Sequence, residues 1–197
     1  MKSPITADNY GDYLLKTYLQ PSATTYLAAL SAADRATYLA ANPFISYTGG
    51  AATFTWNSYL AHVGARTKTA PAFDAFDLSA AENNLFGKEK SQARHFTDYS
   101  NQHASGRSAA LDADIPDTLN QLNAMYHLVA KNSGRAKNWW LRVGTRDTDT
   151  ALTVNGNFAL AAAALGDNQN TKMYWDAGHG ANDDPADFIS WVSKITA

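Results

Sequence analysis

Trp139-Trp140-Leu141-Arg142-Val143-Gly144-Thr145-Arg146-Asp147-Thr148-Asp149-Thr150, taken with Gly178-His179-Gly180 downstream, decides how this chain is read. It opens with aromatic and β-branched residues of the kind that fill a buried strand. The run stops at Gly144, in a polar turn holding two aspartates. A helical pattern follows from Ala151 to Leu165, closed by Gly166, and a second apolar run covers Met173 to Trp175. That run also ends in a polar turn, Asp176 to Gly180, before a last helix starts near Pro185. Strand, helix, strand, helix is the grammar of a parallel sheet. Ligands of such sheets sit beyond the carboxyl ends of the strands. Asp147 and His179 both fall there, on successive strand-end turns, and supply two of the three groups of a hydrolase triad.

Upstream of about residue 138 the chain reads as helices joined by polar turns. Tyr10, Tyr13, Leu14, Thr17 and Tyr18 keep the helical period, with Pro21 ending that helix. Ser31 and Asp34 are spaced to open a helix through Ala41, which Asn42-Pro43 stops. Trp56, Tyr59, Leu60 and Val63 form a stripe closed by Gly64. Ile115, Leu119, Leu122, Tyr126 and Val129 form the longest one, with Pro116 in its first turn. The pattern divides the chain into a helical lid or cap region, 1–110, and a βαβα part, 111–197. Two parallel strands cannot cover both their faces. The second part therefore reads as the end of a larger parallel sheet whose earlier strands lie outside this chain.

Charged residues make up only 17% of the 197, with a net charge of −2. Soluble domains average roughly 25%. So thin a charge argues against a nucleic-acid partner and against a basic membrane patch. Without cysteine there is no disulfide frame and no thiolate zinc site. No apolar run approaches a membrane span, and the first residues lack the apolar core of a secretory leader. Compartment stays open, export included if a leader precedes Met1.

Gly178 and Gly180 free the backbone to place His179 where one ring reaches both a carboxylate and a nucleophile. The rival account is that Gly-His-Gly is a plain turn and that Asp147, Asp149 or Thr150 caps the next helix. The joint placement after two successive strands favours catalysis. The nucleophile is missing: α/β-hydrolases carry it in Gly-x-Ser-x-Gly, which is absent here. Ser105 and Ser133 lack both the flanking glycine and a preceding strand. Acid before histidine is the α/β-hydrolase order, and the serine is expected upstream of Met1. The expected fold is thus α/β, the carboxyl-terminal portion of an α/β-hydrolase sheet behind a mostly helical lid. His62, His95 and His103 have no partner at metal-ligand spacing, so no metal is expected. His127 reads as a packing residue on its helix.

The segment Leu141 to Thr150 resembles the acid turn of bacterial tannases and their feruloyl-esterase-like relatives, which carry Asp-x-Asp-Thr after a strand and the triad histidine about thirty residues later. The front half resembles that family's lid through Lys68-Thr69-Ala70-Pro71-Ala72-Phe73-Asp74 and Glu82-Asn83-Asn84-Leu85-Phe86-Gly87. Residues before Thr55 carry no resemblance. The likeness implies Asp147 as triad acid and His179 as general base. It further implies that Lys68, Glu82 and Asp149 hold the phenolic hydroxyls of a galloyl ring. A lysine and two carboxylates suit adjacent phenols, which donate to carboxylates and accept from an ammonium. Against this, Lys68 reads equally as a solvated lysine, and Glu82, three residues after Ser79, as part of a capping box. The likeness implies an ester substrate, no cofactor, and the amino-terminal part of the hydrolase as partner. The rivals are a peptidase or acyl-peptide hydrolase of the same fold, and a helical binding module whose Asp and His are structural.

Overall fold

Leu15, Leu19, Ala23 and Leu27 recur every fourth residue, and all four are buried. A four-residue repeat drifts around a 3.6-residue helix, and a wider i→i+5 turn takes up part of that drift. The computed structural model describes residues 4–65, 73–89, 92–104, 110–129 and 132–197. In it, helix α1 (Ala7–Leu14) passes through a π-helical turn (Leu15–Leu19) into α2 (Gln20–Ala29). Pro21 therefore does not end the helix, as its type suggests. It falls in the first turn of α2, directly after the π turn, where a missing N–H breaks no regular ladder.

Helix α3 (Ala32–Ala41) opens where expected, the Ser31 hydroxyl accepting from the Asp34 N–H at 3.1 Å. The next stretch corrects the all-helical expectation. Strands β1 (Ser46–Thr48) and β2 (Ala51–Thr53) form an antiparallel hairpin, Thr48 opposite Ala51. Gly49 and Gly50 turn it with φ of 60° and 79°. A two-residue loop of this kind needs positive φ at both positions, which glycine supplies without strain. Helix α4 (Trp56–Val63) follows, capped by the Thr55 hydroxyl and closed by Gly64 at φ 73°.

Residues 67–136 form a unit of their own. Its helices are α5 (Ala81–Leu85), α6 (Asp98–His103), α7 (Ile115–Leu122) and α8 (Ala124–Val129). The single long helix expected through Val129 is broken at Asn123, whose side chain accepts from the Met125 N–H at 3.0 Å in place of a continuing ladder. Phe86, Phe96 and Ile115 are its apolar core. Its polar centre is Asp74, 1% exposed. That carboxylate accepts from Asn83, from His95 at 2.7 Å, from the Phe96 and Thr97 N–H groups, and from the Thr97 hydroxyl.

Strand β3 (Asn138–Gly144), helix α9 (Leu152–Ala164), strand β4 (Asn168–Tyr174) and helix α10 (Pro185–Thr196) complete the chain. The strands pair in parallel, from Asn138 opposite Asn168 to Gly144 opposite Tyr174. β4 starts well before its apolar run, at residues whose polarity hid the strand. Ser22 on α2 donates to the Met173 carbonyl, so the helix satisfies an edge group of β4 that would otherwise stay open. Asp184, just before α10, receives Arg142, Lys172 and Tyr174. Among the described residues no helix is long and apolar enough to cross a membrane.

Val143, Met173 and Trp175 bury themselves against Leu14, Leu19, Leu27, Ile45, Phe54 and Tyr59. Each such side chain contributes roughly 1.5–3 kcal/mol on burial. This core corrects the division of the chain. Residues 1–66 belong with 137–197, and only 67–136 stand apart, because the leucines of the first helices close over one face of the strand pair.

Asp74 makes residues 67–136 acid-sensitive. Burial alone raises its pKa, but the hydrogen bonds from His95, Thr97 and the Phe96 N–H outweigh it and hold the pKa below its ordinary value. A depressed carboxylate stabilises above its unfolded pKa of about 3.9 and stops doing so as pH falls through the folded value. Stability of this unit, read from hydrogen exchange at the Phe96 and Thr97 amides, is expected to be flat above about pH 5 and to fall below pH 4. Asp74→Ala strands several buried donors, each worth about 1–3 kcal/mol, and should remove that protection at neutral pH.

Candidate active site

Gly144 ends β3 where the chain cannot carry a side chain. A Cβ on it would overlap the carbonyl oxygens of Ala177 and Gly178 in the turn after β4. The two strand-end turns therefore lie against each other, and hydrogen bonds lace them. The Thr145 N–H donates to the Tyr174 carbonyl at 2.8 Å, and the Arg146 N–H to the Ala177 carbonyl at 3.0 Å. The Thr145 hydroxyl, itself buried, accepts from the Asp176 N–H at 2.8 Å. Strand-end turns of a parallel pair emerge side by side, so this contact follows from the register of β3 on β4.

That lacing brings Asp147 and His179 together. His179 Nδ1 lies 3.1 and 3.2 Å from the two carboxylate oxygens of Asp147. A carboxylate can only accept, so Nδ1 carries the proton and Nε2 of the neutral ring is the basic nitrogen. The Asp147 side chain is 5% exposed and that of His179 is 61% exposed. Asp147 also accepts from the N–H groups of Asp149 and Thr150, both at 2.8 Å. It orders its own turn and leaves α9 uncapped by any side chain, Ala151 standing at the cap position. A buried carboxylate holding an exposed imidazole through Nδ1 leaves Nε2 open to solvent, an arrangement able to take and return a proton.

Asp149 joins the pair, one carboxylate oxygen 3.9 Å from His179 Nδ1, beyond hydrogen-bond reach. Donor atoms of Asp147, Asp149 and His179 all lie within 4.8 Å of one another. Imidazole with carboxylates is also a donor set for divalent cations, but a cation there would compete for the oxygens that bond Nδ1. Glu82 lies half-buried in the first turn of α5, within the separate unit of residues 67–136. The capping box expected of it does not form: Ala80, not Ser79, is the cap residue, and the Ser79 N–H is engaged by Asp77. Lys68 lies outside the described residues, as does Ser105. Ser133 is exposed in a turn with no strand before it.

Sequence reasoning missed the residues that hold the turns. The Tyr59 hydroxyl donates to the Thr145 carbonyl at 2.6 Å. Three residues on along α4, His62 Nε2 meets Asp176 at 2.6 Å. Asp176 also accepts from the Tyr38 hydroxyl, which in turn accepts from Trp175 Nε1 at 2.7 Å. Burial and then the Asp176 carboxylate push the Tyr38 pKa up, so its hydroxyl keeps its proton. The one legible sign was the three-residue spacing of Tyr59 and His62, which places both on one helix face.

No protein-family model and no curated protein matches the sequence. Solved structures do. The tannase of Lactobacillus plantarum is 28% identical with a TM-score of 0.79, the match covering 95% of this chain and 38% of that one. A tannin acyl hydrolase in complex with ethyl gallate is 28% identical at a TM-score of 0.77, over 94% of this chain and 38% of that one. Fusobacterium nucleatum tannase is 30% identical at a TM-score of 0.65, over 79% and 33%. Coverage of 95% takes in most of the segment before Thr55, which the sequence alone had left without a likeness. The chain spans about 38% of the length of the first of these tannases, and over that span its fold is tannase-like.

Proposed function

We propose that this chain carries the acid and base of a serine esterase of the tannase type, an α/β-hydrolase acting on esters of hydroxylated aromatic acids. The observation that carries the reading is the His179 Nδ1 bond to a buried Asp147 carboxylate on adjoining strand-end turns. The nucleophilic serine then belongs to a part of the enzyme outside these 197 residues, in keeping with the absent Gly-x-Ser-x-Gly. His179 Nε2 takes the serine proton as the hydroxyl oxygen attacks the ester carbonyl, and the resulting imidazolium rests on Asp147. The same proton passes to the departing alcohol, and a water molecule repeats the sequence to free the acid. On the resemblance, the segments around Lys68 and Glu82 belong to a lid, and Lys68, Glu82 and Asp149 hold the ring hydroxyls.

Two expectations test this reading. The 197-residue chain alone should not hydrolyse p-nitrophenyl acetate, since His179 has no nucleophile to activate. Turnover that disappears with His179→Ala would point instead to a serine within the chain. In the enzyme that includes the serine, Asp147→Asn should lower kcat for every ester, by up to about 10⁴. Asp149→Asn, Lys68→Ala and Glu82→Ala should weaken kcat/KM for methyl gallate and leave methyl benzoate nearly unchanged. A site built for a substrate hydroxyl discriminates by roughly 10⁴ against an analogue lacking it. Equal losses on both esters would remove the hydroxyl-binding role.

A further inference from the structure

Asp176 sits at φ +57°, in the left-handed region that most non-glycine residues avoid. It opens the turn that carries His179 and is not itself the histidine's partner. Both its carboxylate oxygens are engaged elsewhere, one by His62 Nε2 and the other by the Tyr38 hydroxyl. Its N–H is held by the Thr145 hydroxyl. Since the carboxylate only accepts, His62 must donate from Nε2. His62 has little room to turn: its ring lies parallel to Trp175, centroids 5.8 Å apart at 4°, and 4.9 Å from Phe44. Its side chain is 13% exposed. One helical turn earlier on α4, Tyr59 is 3% exposed and bonds the Thr145 carbonyl, two residues before Asp147. The same face of one helix thus grips both turns, the base turn through His62 and the acid turn through Tyr59.

We infer that α4 is a clamp, with His62 acting through Asp176 and Tyr59 acting through Thr145 as positioning residues that hold His179 Nδ1 on the Asp147 carboxylate. The inference rests on the proposed role of Asp147 and His179. It goes beyond it in assigning a second, half-buried His–Asp pair to their alignment. Its physical content is register. Without the His62 bond Asp176 keeps the Tyr38 and Thr145 hydroxyls but loses its tie to α4, and relaxation of that residue swings the following three, ending at His179.

The test uses the 197-residue chain and nitrogen-15 NMR of the histidine rings at a pH where they are neutral. In the unsubstituted chain His179 is expected in the Nδ1–H form, with its Nδ1 proton shifted downfield by the carboxylate. His62→Leu should move His179 toward the Nε2–H form usual for a free imidazole. His62→Gln, whose amide can still donate to Asp176, should restore the original spectrum. Tyr59→Phe removes one hydroxyl and keeps the packing, so it covers the case in which His62→Leu does not fold. It should shift His179 in the same direction. An unchanged His179 in folded His62→Leu, or in Tyr59→Phe, overturns the clamp. Asp147→Asn separates the two readings: if it too leaves His179 unchanged, the acid–base pairing itself has failed. If it alone changes His179, only the clamp has. In the serine-bearing enzyme, His62→Leu should lower kcat by roughly 10- to 100-fold with KM little changed, the scale of a misplacement on the order of 1 Å.

Discussion

The contact of Gly144 with the Ala177–Gly178 backbone is what brings the turns of Asp147 and His179 together. β3 and β4 run in parallel and end together, so their turns must pass each other at close range. A side chain on Gly144 would push them apart. With glycine there, the Thr145 and Arg146 amides reach across to the Tyr174 and Ala177 carbonyls, and Asp147 and His179 arrive within hydrogen-bond distance as a consequence. The pair is a product of strand register rather than of long side chains reaching out. Little side-chain entropy is then lost when the pair forms.

Around that contact the protein places its polar groups in two different ways. Asp176 is shared between a histidine from α4 and a tyrosine from α3, elements far apart in sequence. Asp74 gathers its donors almost wholly from residues 83–97, so its network is local to one segment. Both carboxylates are saturated with donors, which is the condition for keeping a charge away from water at tolerable cost. Their consequences differ. Asp74 holds together a small unit with a modest apolar cluster around Phe86, Phe96 and Ile115. Asp176 holds a turn whose final residue is a functional candidate.

What could be read from the sequence follows from how local each cause is. The strand–turn–helix–strand–turn–helix order of the last sixty residues shows in runs of Trp, Val and Met closed by glycine, and so do the two turns that bear Asp147 and His179. The Ser31 cap is also a short-range signal, and the helix it opens begins where expected. The Gly49-Gly50 hairpin is equally local, but its three-residue strands are too short to show against the helical periods on either side. The π turn before Pro21, by contrast, depends on how leucines at four-residue spacing meet the sheet, which a period count does not contain. The membership of residues 1–66 in the sheet-bearing unit depends on the same packing. So does the pairing of His62 with Asp176, 114 positions apart. Local chemistry located the candidate acid and base; only the tertiary arrangement identified what holds them.

The two aspartates of the acid turn differ in a way that composition could not settle. Asp147 already accepts two backbone N–H groups and His179 Nδ1, and its side chain is nearly buried. An acceptor so occupied has little capacity left for a substrate hydroxyl. Asp149 is 28% exposed and stands 3.9 Å from the same Nδ1. The backbone bond from Asp149 N–H to Asp147 ties the two together, so whatever Asp149 binds is held at a fixed distance from the base. A turn of three residues can therefore orient a histidine with its first carboxylate and keep the second beside that histidine, which is the arrangement the proposed discrimination between hydroxylated and plain aromatic esters requires.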